Sequence, residues 1–280
     1  MSKLAISTAL FDGYDMAVAF DEIAAAGFER VEPAYITGYT DFTEATFSEQ
    51  TARKLVAQAE QARLEIAAIS AHMDLGSPDS SVPDRLQQRI RFAATCDCHV
   101  LITNAGMAAD AGLIAQRIEA ALPLCEDAGV MLALENPGHG TGAAIIDARS
   151  GQEFVARFAH RLLQINYDAG NVYSYSGGQR QPGDDLAQSG TKNIGYLHLK
   201  DIRSEGDGWA FSPIGSGMVD FASVLIRVPP DLPISLELPL RLSRPQKGDP
   251  VRQAERLPLQ KLRQALRGST LAIAAMPTCP

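Results

Sequence analysis

Four residues interrupt or end apolar runs, where an unpaired polar group is costly to bury. Glu135 closes Leu132-Ala133-Leu134 and Asp168 closes Ile165-Asn166-Tyr167; His198 sits inside Tyr196-Leu197-His198-Leu199 and Glu237 follows Ile234-Ser235-Leu236. Singly, each reads as a solvated strand end. Brought together, three carboxylates repel one another and raise each other's pKa values unless a cation lies between them. A divalent metal removes that conflict. Oxygen donors with one imidazole favour one divalent ion, Mn²⁺ first, then Mg²⁺ or Co²⁺, with Zn²⁺ also able to bind. Such an ion is a Lewis acid for a substrate with adjacent hydroxyl and carbonyl oxygens. A carboxylate beside it can then take the α-proton, work for which Glu135 and Glu237 are the candidates.

Other side chains gather around these. His72 follows the apolar Ile66–Ala71 and is a candidate substrate contact or leaving-group acid. Glu32, at the end of Arg30–Glu32, can meet a substrate hydroxyl, and Lys200 an oxyanion. Asp201 is placed to orient His198 or Lys200. His139, in Pro137-Gly138-His139-Gly140, is a loop candidate for substrate contact. Arg241 and Arg244 could hold a phosphate or carboxylate, and Trp209 could cover a sugar face.

These residues converge only if strand ends share one face. Eight short β-rich runs occur, at Lys3–Thr8, Arg30–Glu32, Glu65–Ala71, Val100–Thr103, Val130–Glu135, Leu162–Tyr167, Ile194–Leu199 and Ile234–Leu238. Most are continuously apolar, as strands buried on both faces of a parallel sheet should be. Helical periodicity fills Met16–Ala26, Ser48–Ala62, Asp84–Ala94, Ala109–Ala128, Gly151–Ala159 and Arg252–Leu266. Ser174–Thr191 is polar and Gly-rich, and Ser204–Pro230 offers only a short helix near Phe221–Ile226. The alternation predicts an α/β fold, a (β/α)8 TIM barrel whose site lies at the C-terminal strand ends. An open doubly wound sheet is disfavoured because Ala9-Leu10-Phe11-Asp12-Gly13, after the first run, holds no G-x-G-x-x-G. One domain is expected over residues 1–270, with 271–280 a loose tail.

The chain has 280 residues and a net charge of −8, which disfavours a phosphate backbone as partner. No secretory signal is visible at Met1-Ser2-Lys3-Leu4, and no apolar stretch nears the length of a membrane span. The 4 cysteines, Cys96, Cys98, Cys125 and Cys279, read as free thiols of a reducing compartment. A cytoplasmic protein acting on a small polyhydroxylated carbonyl compound, without nucleic acid or membrane, is the expectation.

The segments Leu134-Glu135-Asn136, Asn166-Tyr167-Asp168-Ala169-Gly170-Asn171, His198-Leu199-Lys200-Asp201, Ile214-Gly215-Ser216-Gly217-Met218-Val219-Asp220-Phe221 and Ser235-Leu236-Glu237 follow in that order. With Gly27–Glu32 and Ile69–His72, they resemble the sugar phosphate isomerase/epimerase family of xylose-isomerase-like TIM barrels. The resemblance implies that Glu135, Asp168, His198 and Glu237 hold one divalent metal. It implies isomerase or epimerase chemistry through an enediolate, and by analogy a homo-oligomer. Dehydratases and endonuclease-IV-like nucleases share the scaffold, so a dehydratase of an inosose- or dehydroshikimate-like ketone stays open. A sugar-binding barrel without turnover and a nuclease are further alternatives. Asn171 stands where the nuclease and ketohexose 3-epimerase patterns have His, and Thr141 where the latter has a second Glu. Arg203 lies one residue short of the family's substrate-binding arginine; Asn171 and Arg203 remain candidate substrate contacts.

Overall fold

Two of the barrel's strands are broken, and the breaks lie side by side. A computed structural model describes residues 4–137, 142–245 and 250–276. The first strand is Leu4–Ser7; the second is Arg30–Glu32, resumed as Ala34–Tyr35; the third is Glu65–Ile66, resumed as Ile69–Asp74. Val100–Asn104, Met131–Glu135, Leu163–Asp168, Ile194–Leu199 and Ile234–Leu236 are the fourth to eighth. The ladder runs from Ala34–Tyr35 through the third to eighth strands and the first, ending on Arg30–Glu32 and Glu65–Ile66. Its two ends are therefore halves of the same neighbouring strands. Across the break Ala67 N–H donates to the Val31 carbonyl (2.9 Å) and Ser70 N–H to that of Pro33 (3.0 Å). Pro33 has no N–H to offer, which explains the interruption. All pairings around the ring are parallel. The chain folds as a TIM barrel.

Alternation along each strand divides two environments. Leu132, Leu134, Ile165, Tyr167, Leu197, Leu199 and Leu236 join the main core beneath the helices. The opposite set, Ala68, Val100, Ile102, Ala133 and Tyr196, fills the ring itself. Further along the same inward rows come Asn104, Glu135 and His198, each two residues on, and His72, four residues beyond Ala68. Most of the expected strands are continuously apolar, with polar residues interrupting or ending some; in the structure the inward rows turn polar toward the mouth.

Among the helices, Glu49–Ala62 starts at Ser48, whose Oγ accepts from Thr51 N–H (3.3 Å). Ala111–Ala128 stops at Gly129, where φ of +65° suits glycine. Leu259–Ala274 begins after Pro258, later than the sequence predicts, and runs through four residues of the expected loose tail. Residues 277–280 lie outside the described part. The helix Ala169–Tyr175 follows the sixth strand directly and ends just inside the polar stretch Ser174–Thr191, which itself holds the helix Pro182–Ser189. Four short antiparallel strands, Asp201–Glu205, Gly208–Ser212, Leu242–Arg244 and Val251–Arg252, form a separate sheet that sequence periodicity did not suggest. Its signal was the Gly206-Asp207-Gly208 turn. Among the described residues no helix is long and apolar enough to cross a membrane.

Candidate metal centre

Register brings the four polar strand residues to one level. Asp168 pairs with His198 across the sixth and seventh strands, and Ser235, two residues before Glu237, pairs with His198 across the seventh and eighth. Glu135, Asp168, His198 and Glu237 each offer one ligand atom, all within 4.8 Å of one another and all buried. Imidazole Nδ1 lies 3.2 Å from Glu135 Oε2 and Glu237 Oε2, and 3.9 Å from Asp168 Oδ2.

Asp168 and His198 are each held by a partner that leaves one atom for the cluster, and Glu135 is held on both oxygens. Asp168 Oδ1 accepts from Asn171 N–H (2.8 Å), capping Ala169–Tyr175, while its Oδ2 faces inward. Asn136 bridges the fifth and sixth strands: its amide donates to the Asp168 carbonyl (3.0 Å) and its Oδ1 accepts from Asp168 N–H (2.9 Å). Glu135 receives Asn171 Nδ2 on Oε1 (3.0 Å) and Asn166 Nδ2 on Oε2 (2.8 Å). Gly170 permits this packing, since a Cβ there would fall on the Lys200 carbonyl oxygen. His198 Nε2 lies 3.0 Å from Glu32 Oε2, and Ser70 Oγ donates to Glu32 Oε1 (2.9 Å). That pairing aims Nδ1 at the cluster, as carboxylate–histidine partners do in metal sites.

The Lys200 ammonium sits 2.6 Å from Asp168 Oδ2, 2.5 Å from Glu237 Oε2 and 3.8 Å from Glu135 Oε1. Burial opposes ionisation of Glu135, but Lys200 and His72 outweigh it and hold the carboxyl well below its ordinary value. Glu237 likewise falls to about 2, burial being overcome by Lys200 and His198. Asp168 goes the other way, to about 6, because burial and repulsion from Glu135 and Glu237 exceed the pull of Lys200. Burial lowers the His198 pKa, yet Glu32 and the two ligand glutamates raise it well above the ordinary value. The cluster thus draws positive charge.

The donors fit a divalent ion on two further counts. Asp168 Oδ2 and Glu237 Oε2 are buried without an aligned hydrogen-bond donor, despite the nearby ammonium. Three carboxylates and one imidazole are an oxygen-rich set suited to Mn²⁺, Mg²⁺ or Co²⁺. Above them opens a cavity of about 500 Å³, lined by His72, Glu135, Asn171, Lys200, Glu237 and Arg244 among others.

Several expected contacts lie elsewhere. Glu32 is fully buried beneath His198 and off the cavity wall, so it is corrected from a substrate contact to a positioning residue. Arg203 is half exposed on the small sheet, paired with Glu205 at 3.1 Å, and does not line the cavity. Asp201 orients neither His198 nor Lys200; its carboxylate accepts from Gly215, Gly217 and Val219 N–H and pins that loop. Arg241 is tied to Asp12 at 2.6 Å, and Trp209 packs edge-on against Tyr173. Lys200 and Asn171 do face the cavity, with their polar atoms engaged by the cluster. His72 lines it with Nε2 3.5 Å from Glu135 Oε2. His139 and Thr141 lie outside the described residues. Sequence reasoning overlooked Asn136 and Asn166; the latter was legible as the inward residue two before Asp168.

Over residues 20–266 the chain matches the profile of xylose isomerase-like TIM barrels. It belongs to that family. Solved structures agree on the barrel. D-psicose 3-epimerase from Clostridium cellulolyticum H10 superposes with a TM-score of 0.71 at 15% identity, covering 97% of this chain and 99% of its own. The 3-keto-D-glucoside 4-epimerase YcjR from E. coli gives 0.70 at 12% identity, with 97% and 100% covered. The probable 3-DHS dehydratase AsbF from Bacillus anthracis gives 0.65 at 18% identity, with 84% and 91% covered. At such identities the likeness is one of fold. No curated protein sequence matches this xylose isomerase-like chain.

Proposed function

We propose that this xylose isomerase-like barrel is a divalent-metal-dependent isomerase or epimerase of small polyhydroxylated carbonyl compounds. The observation that carries the reading is the buried Glu135, Asp168, His198 and Glu237 cluster at the floor of the cavity. A divalent ion held there supplies Lewis-acid stabilisation of charge developing on a carbonyl oxygen. Glu135 and Glu237 stay ionised at neutral pH because Lys200 neighbours both, so each can accept an α-proton. They come from the fifth and eighth strands and approach a substrate from different sides. Removal by one and return by the other to the opposite face inverts the carbon. Return to the adjacent carbon of the enediolate isomerises. Asn171 and Asn166 fix Glu135 by hydrogen bonds to its two carboxylate oxygens.

One observation favours a second reading, dehydration. His72 Nε2 is buried at the cavity wall without a hydrogen-bond partner, where it can protonate a departing β-hydroxyl. The deciding experiment combines metal analysis with solvent-deuterium incorporation from a panel of ketoses, their phosphates and inososes. One metal ion per chain and deuterium at an α-carbon are expected. An unsaturated product absorbing in the ultraviolet selects the dehydratase. No metal under replete conditions overturns both readings, and metal without exchange from any candidate leaves a sugar-binding barrel.

A further inference from the structure

Four arginines are buried to less than a tenth of their surface: Arg89, Arg117, Arg241 and Arg244. Three are consumed by the protein itself. Arg89 is paired with Glu44, Arg117 donates to the carbonyls of Leu75, Ser77 and Asp79, and Arg241 is bound by Asp12 and two carbonyls. Arg244 differs. Among the described residues no carboxylate lies within ion-pair distance of it, and its hydrogen bonds all come from Nη1: to Asn171 Oδ1 (2.9 Å) and Ser174 Oγ (3.2 Å). Nε is buried with no acceptor, as it is in Arg89 and Arg241; what sets Arg244 apart is that it lines the cavity above the cluster with only two neutral acceptors on its guanidinium. A buried cation without a directly paired anion is costly unless a ligand completes it.

The small sheet sets this side chain into the cavity wall. Leu242–Arg244 pairs with Gly208–Ser212, placing the guanidinium 4.9 Å from the Phe211 ring centroid. The same ring has Lys200 Nζ at 5.8 Å, so two cations share one side of the cavity. Pro239, Leu242 and Pro250 line the wall nearby, which lowers the local dielectric and strengthens any oxyanion contact. Asn171 joins the two parts of the site, accepting from Arg244 on Oδ1 and donating to Glu135 from Nδ2. One amide therefore separates the guanidinium from a candidate base, a gap a single small molecule spans.

We infer that Arg244 recognises an oxyanion carried by the substrate, whose class is then a hydroxy carbonyl compound bearing a carboxylate or a phosphate. The inference rests on the cavity being the substrate site of the proposed isomerase or epimerase. It narrows that reading from sugars at large to acidic ones.

Calorimetric titration of the Mn²⁺-loaded protein tests this with D-fructose as neutral probe, D-fructose 6-phosphate as phosphate probe and 5-keto-D-gluconate as carboxylate probe. At least one charged probe should bind about tenfold or more tighter than D-fructose, as a charge-assisted contact predicts. Which one does so tells phosphate from carboxylate. Arg244→Gln should abolish the preference, weakening the charged probe far more than D-fructose, while Arg244→Lys retains part of it. Equal affinity for all three probes, or no binding of either charged probe, overturns the inference. So does an equal loss for neutral and charged probes in Arg244→Gln, which would mean that Arg244 only holds Asn171 in place. If that variant fails to fold, Arg244→Lys and the weakening of the wild-type preference by added NaCl carry the test; a salt-independent preference counts against it. Deuterium exchange on the same samples separates the two readings: exchange without charge preference removes the oxyanion subsite alone, and charge preference without exchange removes the enolising reaction alone.

Discussion

Asp168 divides its two oxygens between jobs: one caps a helix, the other faces the cluster. That economy recurs in His198, whose Nε2 is taken by Glu32 so that Nδ1 is aimed inward. Glu32→Gln should therefore weaken metal binding by about 10–100-fold with the circular dichroism unchanged; undiminished affinity in a metal titration would detach Glu32 from the site. Glu237→Gln should fold normally and lose at least about a hundredfold in turnover, the scale of a general acid or base. Wild-type rates in that variant would remove Glu237 from the chemistry. The four cluster residues were legible because a charge or imidazole at the end of an apolar run calls for a partner. Asn136 and the role of Glu32 were not, since their meaning lies in which atom of a neighbour they occupy; Asn166 was legible from strand alternation alone and was passed over. Arg203 misled for a related reason: spacing along the chain says nothing of which way a hairpin residue points.

Between strands and helices the decisive fit is Gly170. Alanine is the better helix former by about 1 kcal/mol, yet its Cβ would land on the Lys200 carbonyl oxygen. Overpacking against backbone costs about 1–3 kcal/mol, so the clash wins. Gly170→Ala should lower the melting temperature and loosen metal binding together, because the helix carrying Asn171 must shift; a rise in melting temperature would refute the close approach. Strand order and most helices were legible from apolar runs and their spacing. Ala169–Tyr175 was not, being short and capped by a residue read for its chemistry. The small sheet escaped because two of its strands lie far from the other two in sequence, and no local period reports that pairing.

At the scale of the molecule, helices around the ring are tied to one another by few charges. Glu44 holds Arg85 at 2.6 Å and the buried Arg89 at 2.8 Å, fastening Glu44–Phe47 to Val82–Thr95. Hydrogen bonding from Arg89 is the largest influence on Glu44 and helps to hold its pKa below the ordinary 4.5. Its contribution to stability is therefore complete above that value and is lost as pH falls through the lower folded value. Melting curves between pH 7 and 3 should show Glu44→Gln less stable at neutral pH and less sensitive to acid; a parallel acid limb in both proteins would contradict the coupling.

The seam where Leu4–Ser7 meets Ile234–Leu236 bears on how each copy is made. A ribosome releases the first strand more than two hundred residues before its closing neighbour. At about 5–20 residues per second, that strand waits on the order of tens of seconds with one edge unpaired. Open edges invite pairing with other nascent chains. Substitutions at this seam should consequently reduce the soluble yield in cells sooner than they reduce the stability of molecules that have already closed.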